Sequence, residues 1–310
     1  MTARTTTAFV LAAAASVAAQ QTPVFRTSVD SVAVDVAVFH QGAAVAGLTA
    51  ADFEVRDNGA VQTLDDVSHE TLPVDLTLVV DTSGSMLEGY IRVQLRQALT
   101  EIGAHVRQGD QVQLVTFNQL VVQHSDALAA GNDFMKALGP TSGMSALFDA
   151  LAVSLIRPSR PDRRQMAIVV TDGQDNVSVL GGPALLEVAR RSDPAVFVIL
   201  LTSGGPSVRT GVILGGSLRL VTGSAPAAGP APNRDLFDQI AAATGGRVAV
   251  LQRDDDLGTS FVQAFDDFRT SYVLRYTLAG VPRPGWHELE VKVTRPGDFT
   301  IRARKGYFGA

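Results

Sequence analysis

The chain has 310 residues, 46% of them hydrophobic and 18% charged, with a formal net charge of -5 and no cysteine. That is enough apolar material for a substantial core, or for two domains, and it excludes disorder as the default. The charge offers no basic footprint for nucleic acid or an anionic membrane surface, and the lack of cysteine excludes disulfides, thiolate metal sites and a cysteine nucleophile.

Residues 1–19, MTARTTTAFVLAAAASVAA, combine Arg4, an apolar stretch from Ala8 to Ala15 and small residues before Gln20, the pattern of a signal peptide cleaved after Ala18 or Ala19. The stretch is too short to span and anchor, so the mature chain is expected to be exported, periplasmic or extracellular, without a membrane span. Val32, Val34, Val36 and Val38 then alternate with smaller or polar residues, the period of a half-buried strand. Asn58-Gly59, between Phe53–Val55 and Val61–Leu64, signals a hairpin.

The middle of the chain, residues 72–268, alternates strand and helix. Short, nearly continuous apolar runs at 76–80, 112–117, 167–170 and 196–201 read as strands covered on both faces. Leu87, Ile91, Leu95, Leu99, Ile102 and Val106 recur at helical spacing, and Ala150, Leu151 and Leu155 begin another stripe. The pattern predicts an α/β fold with a doubly wound, mainly parallel sheet. Residues 203–233 fit it poorly: a hairpin at Gly215-Gly216 and an Ala/Gly/Pro-rich stretch are either a functional loop or a variable insertion. Leu257, Phe261, Phe265 and Phe268 line a last helix, with Asp254, Asp255 and Asp256 before it as capping acids rather than calcium ligands.

Past that helix, Leu289, Val291 and Val293 alternate with charged residues, and FTIRARKGYF reads as a final strand. Neither residues 24–70 nor 271–310 can comfortably bury a core alone. The expectation is one β-sandwich-like module built from both terminal segments, flanking the α/β domain; the alternative is two separate edge extensions of the central sheet.

The chemistry concentrates where the strand LTLVV breaks into Asp81-Thr82-Ser83-Gly84-Ser85. In an open parallel sheet, ligands bind at the carboxyl ends of strands, where the winding reverses. Asp81, Ser83 and Ser85 stand at one such end, Asp172 follows AIVVT at another, and Ser145 opens a helix between them. All are hard oxygen donors, suited to Mg²⁺ or Mn²⁺ rather than zinc. Two carboxylates balance a divalent charge, while hydroxyls and water fill coordination without adding to it. Gly84 permits the tight turn that lets both serines face one ion.

This constellation resembles the metal-ion-dependent adhesion site of von Willebrand factor type A domains, with the likeness covering about residues 72–268. The family usually has threonine where this chain has Ser145, which keeps the hydroxyl but fixes its rotamer less firmly. VDSVAVDVAVFHQGAAVAGLTAADFEVRDNG, SYVLRYTLAG, WHELEVKVTRPG and RARKGYF further resemble a secreted bacterial subgroup of that family. The resemblance implies a non-enzymatic binding protein. Its metal ligands would be Asp81, Ser83, Ser85, Ser145 and Asp172, and its Mg²⁺ or Mn²⁺ would be completed by an Asp or Glu of a protein partner, as in cell adhesion.

Competing readings are a metal-dependent hydrolase at the same site and a scaffold with a vestigial site. Against hydrolysis, no G-x-S-x-G elbow, P-loop, GxGxxG or HExxH occurs, and the five histidines show no paired metal spacing. Asp149, one turn beyond Ser145, reads as a supporting group, Asp175-Asn176 as solvated loop, and Trp286 as a β-core anchor.

Overall fold

The computed structural model describes residues 31–69, 72–86, 90–124, 138–158, 160, 162–202, 209–214, 217–222, 232–252 and 255–309, all within the unit Ser31–Ala310. The signal-like stretch 1–19, Leu87 and Asp254 lie outside the described residues. In chain order, β1 (Ser31–His40), β2 (Ala43–Ala44), β3 (Phe53–Asp57), β4 (Ala60–Gln62) and β5 (Leu64–His69) come first. The α/β segment follows as β6 (Val74–Asp81), α1 (Tyr90–His105), β7 (Gln111–Phe117), β8 (Val121–His124), α2 (Leu147–Leu155), β9 (Arg164–Thr171), α3 (Gly182–Arg190) and β10 (Ala195–Leu201). It continues through β11 (Arg209–Leu214), β12 (Ser217–Thr222), α4 (Arg234–Thr244), β13 (Arg247–Leu251) and α5 (Leu257–Arg269). The chain closes with β14 (Tyr272–Thr277), β15 (Gly285–Val293), β16 (Thr300–Ala303) and β17 (Gly306–Gly309). Of these, β2, β5, β8, β13, α3 and α4 are elements that the sequence patterning does not single out, and the one final strand expected over FTIRARKGYF is two, β16 and β17, in different sheets.

The central sheet has the order β13-β10-β9-β6-β7-β8, parallel except for β8. Every residue of β6 and β9 is buried, which is why both read as continuous apolar runs. Their side chains alternate faces. Leu76, Leu78, Val80, Ile168 and Val170 pack with α1 and α5, whereas Val79 and Val169 pack with α2, α3 and α4. From β6 the chain winds outward to β7 and β8, then crosses back so that β9 lies on the other side of β6. The winding therefore reverses between the carboxyl ends of β6 and β9, the place where such sheets hold ligands.

The terminal segments form two further sheets, β16-β1-β14-β5 and β17-β15-β3-β4, so each combines strands from both ends of the chain, alternating in the first and meeting at β15 and β3 in the second. Among the described residues none pairs with the central sheet, and the reading as edge extensions falls. Val34, Val36, Val55, Leu274 and Leu289 fill the core between the two sheets. Asn58 and Gly59, both at positive φ, make the two-residue turn between β3 and β4. Asp57, fully buried, accepts from Tyr276 Oη (2.7 Å) and Tyr307 Oη (2.8 Å) and contacts His287 Nδ1 at 2.6 Å, tying β3 to β14, β17 and β15.

Sandwich and α/β domain meet at the end of the central sheet opposite the switch point. There Arg164, the first residue of β9, donates to Asp35 of β1 (2.7 Å), to the carbonyl oxygens of Phe268 (2.7 Å) and Arg269 (3.3 Å) at the end of α5, and to Ser271 Oγ. Its guanidinium also lies 4.1 Å from the centroid of the Phe268 ring. One cation thus satisfies a carboxylate and the negative end of a helix across the junction. Arg164→Met should lower stability by about 1–3 kcal/mol, because it strips buried carbonyl oxygens of a charged donor while Asp35 keeps access to water. Urea unfolding measures this, and a loss below about 1 kcal/mol would show the clamp to be dispensable.

Candidate functional site

Asp81 ends β6 with its side chain in the interior, 1% exposed. One carboxylate oxygen accepts the Ser83 backbone N–H at 2.8 Å, and the other accepts the Thr171 hydroxyl at 2.7 Å. The first bond folds the loop back on itself as Asp commonly does in turns, and it sets Ser83 Oγ 3.1 Å from Ser85 Oγ. The loop is rooted on β7 through Thr82, whose N–H and hydroxyl both bond the Phe117 carbonyl, at 2.7 and 2.9 Å.

A second loop docks on the first. Ser142 N–H donates to Thr82 O at 2.9 Å, and Gly84 N–H donates to Gly143 O at 2.9 Å. A β-carbon on Gly84 would stand 3.2 Å from that carbonyl oxygen, a tight contact, so the glycine eases the loop-to-loop approach; Gly84 is not at positive φ, and the turn expected of it does not rest on glycine's conformational freedom. The next residue but one, Ser145, is fully buried, and its Oγ has no hydrogen-bond partner. An unpaired buried hydroxyl is costly, and it is the one such serine among the described residues.

The third loop, from Asp172, closes on the second. Ser145 O accepts N–H groups from Asn176 (2.8 Å) and Val177 (3.2 Å). Helix α2 begins at Leu147 without a side-chain cap of its own, and the third loop supplies one from a distance. Ser145 N–H goes to Asn176 Oδ1, Phe148 N–H to Asp175 Oδ1 and Asp149 N–H to Ser178 Oγ, satisfying donors that a helix start leaves free. Asp149 returns the favour by accepting from Val179 N (2.8 Å) and Leu180 N (3.0 Å). Asp149 is thus a positioning group, as its spacing suggests, whereas Asp175 is a cap rather than mere solvated loop. Asp172 accepts from the Gln174 backbone at 3.0 Å and side-chain amide at 3.3 Å.

The electrostatics single out Asp81. Burial pushes its carboxyl up to about 6, against the hydrogen bonds from Ser83 and Thr171, and the nearby charge of Asp172 adds to the rise. The sequence reading missed Thr171, which bonds Asp81 directly and sits beside Asp172 in the same VVTDG stretch. Among the described residues no three of His, Asp or Glu gather into a cluster. The charge at this sheet end is all carboxylate: Asp149 and Asp175 are taken up in holding the loops, which leaves Asp81 and Asp172 with hydroxyls near them, the donor set of a hard divalent cation. The unpartnered Ser145 Oγ and the uncompensated burial of Asp81 both fit such an ion.

The chain matches the family model described as von Willebrand factor type A domain over residues 76–174, a span that includes the first two loops and the start of the third, with Asp172. Among solved structures it is similar to an aerotolerance-related membrane protein from Bacteroides fragilis, at 17% identity over 63% of this chain and 98% of that one, with a TM-score of 0.44. It is also similar to a von Willebrand factor type A protein from Catenulispora acidiphila (12% identity, 90% and 74% covered, TM-score 0.45). A third likeness is to the manganese-loaded TRAP protein of Plasmodium vivax (15% identity, 81% and 98% covered, TM-score 0.40). Comparison with curated proteins returns no match. By the family match and its doubly wound, mainly parallel sheet, the chain contains a von Willebrand factor type A domain.

Proposed function

We propose that this is an exported binding protein that captures a protein ligand through a Mg²⁺ or Mn²⁺ ion held by Asp81, Ser83, Ser85, Ser145 and Asp172, with a ligand carboxylate completing the coordination. When bound, the ion supplies an electrophilic point that an Asp or Glu side chain can reach. The chain's own contribution is to hold five oxygens from three loops, to neutralise the ion with two carboxylates, and to leave one side of it open.

The observation that carries this reading is the buried, unpartnered Ser145 Oγ in a loop bonded to that of Asp81. Mg²⁺ approaches an oxygen to about 2.0–2.1 Å, nearer than the about 2.8 Å of a hydrogen-bonded water. A hydroxyl closed to water is thus within reach of the ion. Export rests on the signal-like residues 1–19 and on the absence, among the described residues, of any helix long and apolar enough to cross a membrane.

Calorimetry should detect uptake of one Mg²⁺ or Mn²⁺ per chain. Ser145→Ala should weaken uptake about tenfold or more, the effect seen when even indirect support of a metal is lost, and Ser145→Thr should retain it. No uptake by the unaltered chain would end the proposal.

The raised carboxyl of Asp81 gives a second test with a defined sign. Because its folded value lies above the unfolded one, the group costs nothing when both states are protonated. Stability is then lost as pH climbs from about 4 to about 6. Above that window the loss reaches about 3 kcal/mol, roughly two units at 1.36 kcal/mol each. Asp81→Asn should therefore raise the Tm of the metal-free chain at pH 7.5, leave it nearly unchanged at pH 4, and abolish the rise in Tm that Mg²⁺ produces in the parent. A destabilising Asp81→Asn at pH 7.5 without metal would contradict the electrostatic account.

A further inference from the structure

We infer that a monatomic anion of the halide class, chloride, is held by the guanidinium groups of Arg247 and Arg302 where the α/β domain meets the sandwich. Arg247 is the first residue of β13, Arg302 lies on β16 opposite Ala37 of β1, and both reach Asp267 near the end of α5. The site lies at the end of the central sheet that also carries the Arg164 clamp, away from the loops of Asp81. It stands independently of the cation reading.

The two arginines converge on one oxygen. Arg302 Nη2 stands 3.2 Å from Asp267 Oδ2, and Arg247 Nη2 stands 3.7 Å from the same atom. The second separation is too long for a hydrogen bond, so the carboxylate satisfies one guanidinium and leaves the other short of an acceptor. Arg247 Nε and Arg302 Nη1 are both buried without a hydrogen-bond partner. Each shares a rigid plane with the nitrogen that faces Asp267, so the two unpartnered N–H groups flank one carboxylate. Neither arm is loose: the Phe39 ring centroid lies 4.6 Å from the Arg302 guanidinium. The turn ahead of Arg247 is pinned to the sandwich, with Lys305 N–H donating to Ala242 O at 3.2 Å and a β-carbon on Gly245 (φ +82°) falling 2.9 Å from Arg304 N.

Charge names the occupant. Two cations against one acid leave a surplus positive charge in a place largely closed to water, the side chains of Arg247, Arg302 and Asp267 being 28%, 21% and 14% exposed. Burial pushes the Arg247 guanidinium below its ordinary range; Asp267 opposes that shift and the charge of Arg302 adds to it. The other acids of this junction are engaged elsewhere: Asp266 faces His105 at 3.9 Å, Asp35 is taken by Arg164, and Asp193 stands 3.9 Å from Arg304. Arg304 adds a further cation whose hydrogen bonds go to the neutral carbonyls of Gly306 and Ser192. A buried cation with unmet donors is costly. Water would satisfy the donors and leave the charge, whereas an anion answers both. Donors that solvent does not reach are closed to the carboxylate or phosphate of a partner molecule, and a halide, without directional demands, fits N–H groups arriving from two side chains.

The probe is sodium chloride exchanged for sodium gluconate at equal ionic strength, on the full chain without divalent cations, read as Tm. Arg247→Met keeps the apolar stem and leaves Arg302 and Asp267 as a balanced pair, so it serves as the control for general salt effects. Chloride should raise the Tm of the parent by at least about 2 °C more than that of Arg247→Met, because a ligand held by the folded state alone stabilises it. In a crystal of the parent grown in bromide, an anomalous peak should lie within hydrogen-bond reach of Arg247 Nε and Arg302 Nη1. Equal salt responses in parent and variant, or bromide found on the surface and not between these two side chains, would overturn the inference.

Discussion

The parallel pairing of β6 with β9 is the constraint on which the rest of the site depends. The ladder runs from Val74 opposite Arg164 to Val80 opposite Val170, so Asp81 emerges beside Thr171 and the Thr171 hydroxyl reaches its carboxylate. These two strands are far apart in the chain and neighbours only because the connection after β8 recrosses the sheet. An order that separated β6 from β9 would part the two acids. Both strands are buried on both faces, and a slip of one residue would exchange the apolar sets that face α1 and α5 for those that face α2, α3 and α4. Packing of the core thereby sets the alignment of the polar ends.

Around that pairing the loops hold one another through backbone atoms, which leaves side chains free for other work. Gly84 bonds Gly143, and Ser145 bonds Asn176 and Val177. The third loop also provides the cap that α2 lacks, so helix start and site loop stabilise each other. A site of this kind is preorganised: most of the entropy of placing its oxygens is lost on folding, not on binding. Asn233, just ahead of α4, extends the arrangement, since its amide donates to Gly173 O at 2.8 Å next to Asp172.

The sandwich contributes at the far end of the sheet. Both of its sheets combine strands from the two ends of the chain, and Arg164 joins β1 to the start of β9 and the end of α5. Strand β9 is therefore anchored at its start by an arginine clamp, while its other end delivers Thr171 and Asp172 to the site. The buried carboxylate of Asp57 differs from that of Asp81 in a telling way. Asp57 faces two tyrosine hydroxyls and a histidine, and so belongs to the framework. Asp81 has two neutral donors and a second acid nearby.

The sequence by itself determined the fold class, because strands covered on both faces must read as continuous apolar runs and amphipathic helices must repeat near every fourth residue. It also determined the oxygen-donor character of the loops at Asp81, Ser145 and Asp172, and the turn at Asn58-Gly59, since these follow from residue type and spacing within a few positions. Tertiary structure alone decided the role of Thr171, the distant capping by Asp175 and Ser178, the unpaired state of Ser145 Oγ, and the interleaving of β1 with β14 and β16. All but the unpaired hydroxyl join residues tens to hundreds of positions apart. A hydrogen bond across such a separation leaves no local periodicity, and only the path of the chain brings its two ends together.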